Sequence, residues 1–255
     1  MTETKYHFIG IGGAGMSVVA QLFVERGWQL SGSDQADSAN LSRLKQLGVE
    51  CWVGTQPQKI TPEMTIVYSS AIRPSNPEFA AGKAAGCRFM HRSQALALAA
   101  ADRKFVAVAG AHGKTTTSGM IAQTFSQLGA DPSFAVGGVV THYQTGAHLG
   151  TGEYFIAEAD ESDGSFLNYR PQLAIITNIE ADHLDNYGSS EQFARAFFDF
   201  AHCIEPGGTL ILCTDDPGCR TLLKQLRPQG DLDESCSPKN PDTGIRITST
   251  SRRFG

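Results

Sequence analysis

A glycine-rich loop reads Ala109-Gly110-Ala111-His112-Gly113-Lys114-Thr115-Thr116-Thr117 and lies between an apolar run, residues 105–109, and a segment of helical periodicity, residues 115–128. Backbone amides in such a loop surround phosphate oxygens, a lysine ammonium neutralises the β- and γ-phosphates, and a threonine hydroxyl binds Mg²⁺. The generic pattern has glycine at position 108, where this chain has Val108, so the loop is a shorter variant. A chance match in a surface turn is the alternative, which the flanking strand and helix disfavour. We predict a nucleoside triphosphate site formed by Gly110, Ala111, His112, Gly113, Lys114, Thr115 and Thr116.

Strand-like and helix-like segments alternate on both sides of this loop, which is typical of an α/β fold with parallel sheets. We predict strands at residues 6–11, 29–32, 65–69, 105–109, 154–159, 173–178 and 209–213. We predict helices at residues 14–26, 41–47, 77–85, 93–100, 115–128, 190–203 and 216–226. A second strand, glycine loop and helix begin about a hundred residues earlier, which is the spacing of two domains.

The sequence therefore predicts two domains and a tail. Residues 1–103 form a Rossmann-like domain with a parallel sheet, and residues 104–227 form a central domain around the phosphate loop. From Pro228 onward, proline, glycine, serine and threonine replace the periodic apolar pattern. We predict that residues 228–255 are a weakly ordered tail, with one short β-like run at residues 244–248.

The earlier loop reads Gly10-Ile11-Gly12-Gly13-Ala14-Gly15 and also lies between a predicted strand and a predicted helix. Its glycines let backbone N–H groups approach a pyrophosphate at the helix N-terminus. Asp34 follows the next predicted strand, where a carboxylate can accept a hydrogen bond from a ribose hydroxyl or a base N–H. The residues alone leave open whether the ligand is NAD or another nucleotide diphosphate, and a tight turn without a ligand is the alternative.

Two polar clusters follow predicted strands of the second domain. The first, Glu158-Ala159-Asp160-Glu161-Ser162-Asp163, places four carboxylates where ligands of open α/β sheets bind, so it predicts a Mg²⁺ site beside the phosphate loop. A solvated acidic loop is the alternative. The second, residues 177–185, contains Asp182, His183 and Asp185, which can complete a second metal or phosphate site. For the other histidines we predict only structural roles: His7, His91, His142, His148 and His202.

The composition excludes several classes of protein. The 255 residues include 21 Lys plus Arg and 26 Asp plus Glu, a formal charge of −5, without a basic block that would bind a nucleic-acid backbone. No apolar run approaches the roughly 20 residues of a membrane span, and the N-terminus differs from a signal peptide. Six cysteines without a C-x-x-C pair are typical of reduced thiols rather than of a zinc site. We expect a cytoplasmic protein that binds neither nucleic acid nor membrane.

Five motifs in order resemble those of the Mur ligases of peptidoglycan synthesis, over residues 5–226. The chain departs from the family at Ala111, where the family's loop usually has threonine, so the backbone cradle remains and one hydroxyl is lost. The motifs are Gly10-Ile11-Gly12-Gly13-Ala14-Gly15-Met16, Ser69-Ser70-Ala71-Ile72-Arg73 with Asn76-Pro77-Glu78, Gly110 to Thr117, Glu158 to Asp163, and Thr177-Asn178-Ile179-Glu180-Ala181-Asp182-His183-Leu184-Asp185.

The resemblance implies that the first loop binds the UDP part of a sugar nucleotide rather than a redox cofactor. The implied substrates are UDP-N-acetylmuramate and L-alanine, together with ATP and Mg²⁺, and an amide is implied to form through an acyl phosphate. The implied catalytic residues are Lys114, Glu158 and His183, and the implied Mg²⁺ ligands are Thr115, Glu158 and His183. The implied substrate-binding residues are Gly10, Gly12, Gly13, Ala14, Gly15, Asp34, Ser70, Ala71, Ile72, Asp160, Glu161 and Ser162.

The resemblance also raises expectations about length and leaves alternatives. Mur ligases have a third, C-terminal domain, so we expect this chain to lack that domain and the end of the central one, and to ligate L-alanine poorly or not at all. One alternative is the related recycling ligase that adds a whole tripeptide to the same sugar nucleotide, although its first loop has a bulkier pattern. A non-catalytic nucleotide-binding chain is another. A nicotinamide-dependent dehydrogenase fits the first loop and Asp34 but not the second nucleotide loop.

Overall fold

The computed structural model describes residues 5–180, 184–227 and 245–250 and shows two sheets flanked by helices. The elements of the first sheet are β1 (Lys5–Ile9), α1 (Ala14–Glu25), β2 (Leu30–Asp34), α2 (Ala39–Gln46), β3 (Glu50–Val53), β4 (Met64–Tyr68), α3 (Pro77–Ala85), β5 (Arg88–His91) and α4 (Arg92–Ala99). The strands are all parallel in the order β3-β2-β1-β4-β5. The chain runs from β1 outward to β3 and then returns to the other side of β1. The ends of β1 and β4 therefore form the crevice where open α/β sheets bind ligands.

The second sheet has the order β12-β11-β10-β6-β9-β7-β8, parallel except for the antiparallel edge pair β7 and β8. Because β9 and β10 lie on either side of β6, the segments after these three strands meet at one edge of the sheet. Its elements are β6 (Lys104–Ala109), α5 (Lys114–Gln127), β7 (Ser133–Val140), β8 (Thr145–His148), β9 (Tyr154–Glu158), β10 (Leu173–Ile176), α6 (Leu184–Tyr187), α7 (Ser190–Ala201), β11 (Thr209–Cys213), α8 (Pro217–Leu226) and β12 (Arg246–Thr250).

Local sequence explains where these elements begin and end. Strand β6 is apolar after Lys104 and buried from Phe105 onward, as expected for a central parallel strand covered on both faces. Helix α3 begins after Asn76, whose side chain accepts from the amides of Glu78 and Phe79, and it ends at Gly86 in the left-handed conformation. Because these signals lie within a few residues of the helix, the sequence is sufficient to locate it, and the predicted helix at 77–85 is confirmed.

Helix α1 connects the two sheets, since it packs against β2 of the first sheet and against β7 and β8 of the second. Its Gln21 side chain donates to the Ala147 carbonyl at 2.8 Å, and its Glu25 carboxylate accepts from the Leu149 amide at 2.6 Å. One cluster of buried apolar side chains extends over both sheets, and two smaller clusters lie beside it. The edges that carry the two glycine loops are therefore held at a defined separation.

The α/β class and the alternating order are confirmed, but several predicted segments were wrong in detail. The first strand ends at Ile9 rather than at residue 11, because Gly10 turns with φ +77°. Strands β3, β5, β7 and β8 were not predicted. In β7 the reason is the pair Gly137-Gly138, which is typical of a turn. The β-like run predicted at residues 244–248 overlaps β12 at residues 246–250, which pairs in parallel with the edge that β11 offers. Among the described residues, no helix is long and apolar enough to cross a bilayer.

Candidate active site

The phosphate loop between β6 and α5 is shaped by two glycines and held by the segment after β10. Gly110 is buried with φ +132°, and a Cβ there would lie 2.2 Å from Thr177 Oγ1. Gly113 adopts φ +84° immediately before α5. Thr177 donates to the His112 carbonyl at 2.7 Å, and Asn178 both accepts from the His112 amide at 3.0 Å and donates to its carbonyl at 2.8 Å. Thr177 and Asn178 lie in the predicted metal cluster, yet here they support the loop.

Lys114 begins α5, and its ammonium is held below the loop. The Nζ atom lies 2.9 Å from both carboxylate oxygens of Glu161 and 2.6 Å from the Gly110 carbonyl. Glu161 is fully buried. Its burial raises the pKa of the carboxyl group, and the hydrogen bond from Lys114 opposes that shift only in part. The resemblance implied a substrate-binding role for Glu161, and in the structure Glu161 is the ion-pair partner of Lys114.

Thr115 and Glu158 place two oxygen atoms of the kind that bind Mg²⁺ close together beside the phosphate loop. Thr115 Oγ1 donates to Glu158 Oε2 at 3.1 Å, and Glu158 Oε1 accepts from the Gly137 amide at 2.6 Å. A Cβ on Gly138 would lie 2.9 Å from the Thr115 methyl group, so the two glycines keep this corner free of side chains. Within the described ranges, no group of three or more His, Cys, Asp or Glu side chains could hold a metal ion. His183 lies outside the described residues.

The first glycine loop is held by side chains from β2 and α2. The Gly12 amide donates to Asp34 Oδ2 at 2.8 Å, and Asn40 donates to the Gly12 carbonyl at 3.0 Å. The Gly10 and Ile11 amides both donate to the Ser33 carbonyl, at 2.8 and 2.9 Å. Asp34, predicted to contact a ribose or base, therefore also fixes the loop backbone. Gly13 and Ala14 are exposed at the start of α1.

The predicted turn of Ser70, Ala71 and Ile72 lies beside the first loop, as the strand order requires. A Cβ on Gly10 would lie 3.6 Å from the end of the Ile72 side chain. Ser70 reaches across to the second sheet and donates to Asp163 Oδ2 at 2.8 Å. The structure thus connects the turn of Ser70, Ala71 and Ile72 directly to the acidic segment that follows β9.

A buried network behind the first loop was not found by sequence reasoning. Glu78 is fully buried and accepts from the Trp52 indole at 2.9 Å, the Gln56 amide at 2.8 Å, the Ser33 hydroxyl, and His7 Nε2 at 3.4 Å. Burial alone would raise the pKa of Glu78, but the hydrogen bonds from His7, Gln56 and Ser33 outweigh it and hold the pKa at about 2. Ser33 donates its hydroxyl to Glu78, and its carbonyl accepts from the Gly10 and Ile11 amides. The ionised carboxylate of Glu78 therefore stabilises the residue that holds the first loop.

A cleft between the two sheets contains both loops. Gly15, Arg92, Lys114, Glu158 and Asp160 are among the residues that line a cavity of about 200 Å³. A neighbouring cavity of about 180 Å³ extends past α2 and the β7–β8 hairpin. Both cations and carboxylates line the cleft, which suits a multiply charged ligand that is bound together with a metal ion. The first loop and the phosphate loop therefore open onto a common space.

Comparison with known families agrees with this arrangement. Residues 5–104 match the Mur ligase family catalytic domain, and residues 108–248 match the Mur ligase middle domain. The chain belongs to the Mur ligase family. The resemblance drawn from the five motifs is confirmed, and each sheet of the structure lies within one of the two matches, apart from residues 104–107 of β6 and the last residues of β12.

Curated relatives include UDP-N-acetylmuramate–L-alanine ligases from two bacteria. That of Renibacterium salmoninarum is 50% identical over 226 residues, which are 89% of this chain and 49% of that protein. That of Paenarthrobacter aurescens is 45% identical over 243 residues, which are 95% of this chain and 53% of that protein. The chain spans about half the length of the curated relatives it matches.

Solved structures of Mur ligases have the same fold. The UDP-N-acetylmuramate-alanine ligase MurC of Thermotoga maritima aligns with a TM-score of 0.78 at 28% identity, over 86% of this chain and 51% of that chain. The UDP-N-acetylmuramate:L-alanyl-gamma-D-glutamyl-meso-diaminopimelate ligase of Neisseria meningitides aligns with a TM-score of 0.80 at 24% identity, over 88% of this chain and 75% of that chain. The second match is evidence for the fold alone.

Proposed function

We propose that this chain binds UDP-N-acetylmuramate and Mg²⁺-ATP in the cleft and serves the ATP-dependent formation of an amide with L-alanine. The observation that carries this proposal is the shared cavity, which Gly15 of the first loop and Lys114 of the phosphate loop both line. A nucleotide diphosphate on the first loop and a triphosphate on the second would have their reactive ends close together. Relatives at 45–50% identity named for L-alanine favour that amine over a tripeptide.

The chemistry that suits this site needs no covalent enzyme nucleophile. The carboxylate of the sugar nucleotide attacks the γ-phosphorus of ATP, so that an acyl phosphate forms and ADP leaves. The amine of L-alanine then attacks the acyl carbon, phosphate leaves with the bonding electrons, and the amine loses a proton. Lys114 at the start of α5 supplies positive charge for the phosphoryl group during transfer.

Thr115 and Glu158 fit Mg²⁺, which commonly takes one or two protein oxygens and completes its shell with phosphate and water. Their oxygens are 3.1 Å apart, with Gly137 and Gly138 leaving open space beside them. A bound Mg²⁺ would offset the negative charge of the phosphates. The proposal that His183 is a further ligand rests on the resemblance alone.

Calorimetric titration of the chain with UDP-N-acetylmuramate, Mg²⁺-ATP and NADH tests the proposal. We expect saturable binding of the first two and no binding of NADH. Tight NADH binding without sugar-nucleotide binding would overturn the proposal and assign redox chemistry to the first loop.

A further inference from the structure

Arg92 is a cation in the cleft that none of the sequence motifs contains. It is the first residue of α4, and its side chain is 23% exposed and lines the same cavity as Lys114. The guanidinium lies directly on the first turn of α1, because a Cβ on Gly15 would be 2.5 Å from Arg92 Nη1. Arg92 thus lies between the first glycine loop and the phosphate loop.

Both sheets hold Arg92 in position. On its own side, the His91 amide donates to the Gln94 side chain at 2.9 Å, and His91 Nδ1 accepts from the Ser93 amide at 3.3 Å, so a capping box fixes the start of α4. On the other side, Arg92 Nη2 donates to Asp160 Oδ2 at 3.1 Å. Burial alone would raise the pKa of Asp160, but hydrogen bonds from Ser162 and the charge of Arg92 outweigh it and lower the pKa.

The charges around Arg92 indicate its ligand. Glu158 and Asp160 line the cavity and repel an incoming carboxylate, while Lys114 is engaged by Glu161 and belongs to the phosphate loop. The diphosphate of a sugar nucleotide can use the backbone amides of the first loop. A reacting carboxylate must lie between that loop and the phosphate loop, which is where the guanidinium lies. Arginine has five N–H donors in a planar fork that matches a carboxylate, and only part of this fork is used by Asp160.

Resting on the function proposed above, we infer that Arg92 binds the reacting carboxylate of the sugar nucleotide and positions it for attack on the γ-phosphate. The residue is therefore a determinant of specificity for sugar nucleotides that carry a carboxylate. The diphosphate and uridine are bound elsewhere, so their affinity does not depend on Arg92.

Two ligands separate these contributions, because UDP-N-acetylglucosamine lacks the lactyl ether that carries the carboxylate of UDP-N-acetylmuramate and otherwise matches it. The affinities of both are measured by calorimetry in Mg²⁺-free buffer for wild type, Arg92→Ala and Arg92→Lys. We expect wild type to prefer the carboxylate-bearing ligand, and Arg92→Ala to reduce this preference about 10- to 100-fold. We expect the UDP-N-acetylglucosamine affinity to stay within about 2-fold, and Arg92→Lys to recover part of the preference, since it keeps the charge but not the fork.

Arg88→Ala is the matched control, since Arg88 is exposed on β5, four residues before Arg92. We expect it to leave both affinities unchanged, and circular dichroism shows that each variant is folded. An equal loss of both ligands in Arg92→Ala would assign the guanidinium to the diphosphate and overturn the inference. An unchanged preference, or a wild type that binds both ligands equally, would overturn it as well. A wild type that binds neither ligand would instead refute the proposed function, and the inference with it.

Discussion

Replacement of Glu78 by glutamine tests whether an ionised carboxylate supports the first loop. The Trp52 indole and the Gln56 amide bond one oxygen of Glu78, at 2.9 and 2.8 Å, while Ser33 and His7 bond the other. Glu78→Gln keeps the shape of the side chain but removes the charge and one accepting oxygen. Buried donors that lose their acceptor cost about 1–3 kcal/mol each. We therefore expect the variant to be less stable at neutral pH.

The pKa of Glu78 predicts both the size and the pH dependence of this effect. A pKa lowered from the ordinary value of 4.5 to about 2 stabilises the folded chain by about 3 kcal/mol, at about 1.4 kcal/mol per pKa unit. Because the folded pKa is the lower one, this stabilisation is fully present above pH 4.5 and is lost as the pH falls towards 2. The difference between wild type and variant is therefore about 3 kcal/mol at pH 7 and shrinks in acid.

Urea unfolding followed by circular dichroism, from about pH 7 down to about pH 3, measures the free energy of unfolding of both proteins. Glu205→Gln is the control, because Glu205 is exposed in the loop after α7, and we expect a change within about 0.5 kcal/mol at every pH. A difference between wild type and Glu78→Gln that stays constant over this pH range would refute the assignment of an ionised carboxylate to the network.

Four further variants test the phosphate loop and the helix that follows it. Lys114→Ala is expected to weaken Mg²⁺-ATP binding at least about 10-fold in calorimetry while UDP-N-acetylmuramate affinity stays within about 2-fold; equal loss of both would mean that the two sites are not separate. Gly110→Ala is expected to destabilise the chain by about 2–4 kcal/mol, because Gly110 has a positive φ and a Cβ there would clash with Thr177. Gly119 lies within α5 with open space around it, so Gly119→Ala is expected to stabilise the chain by about 0.5–1 kcal/mol. Thermal unfolding compares these two glycine variants, and equal melting temperatures would contradict the steric argument. Glu158→Gln is expected to reduce the gain in ATP affinity that Mg²⁺ provides and to leave affinity in EDTA unchanged; an unaltered Mg²⁺ dependence would exclude Glu158 as a ligand.

Both glycine loops could be identified from sequence because each is a local feature. A backbone position that requires positive φ, as at Gly10 and Gly113, favours glycine at that single position of the sequence. The residues that follow it, such as Lys114 and Thr115, begin a helix whose backbone geometry then orients them. The acidic segment after β9 was also predicted correctly as a neighbour of the phosphate loop, because parallel strands end at the same edge of a sheet.

The edge strands could not be identified in the same way. Strands β3 and β5 have four residues each and are only partly buried, so they lack a long apolar pattern. Their pairing energy comes from a neighbouring strand that is distant in sequence. Strand β12 is an intermediate case, because the sequence shows a short β-like run at residues 244–248, whereas its pairing depends on the backbone of β11.

The sequence alone determines the alternation of strands and helices, the two loops and the family, because glycine conformation, helix caps and apolar periodicity act over a few residues. It does not show that Glu161 pairs with Lys114, that Thr177 and Asn178 hold the phosphate loop, or that Arg92 lies between the two glycine loops. These contacts join residues that are 47 to 68 positions apart in the sequence. They exist only because the strand order and the packing of α1 bring the edges of the two sheets together. The cleft itself forms through that packing, so the sequence alone does not show which carboxylates and guanidinium groups line it.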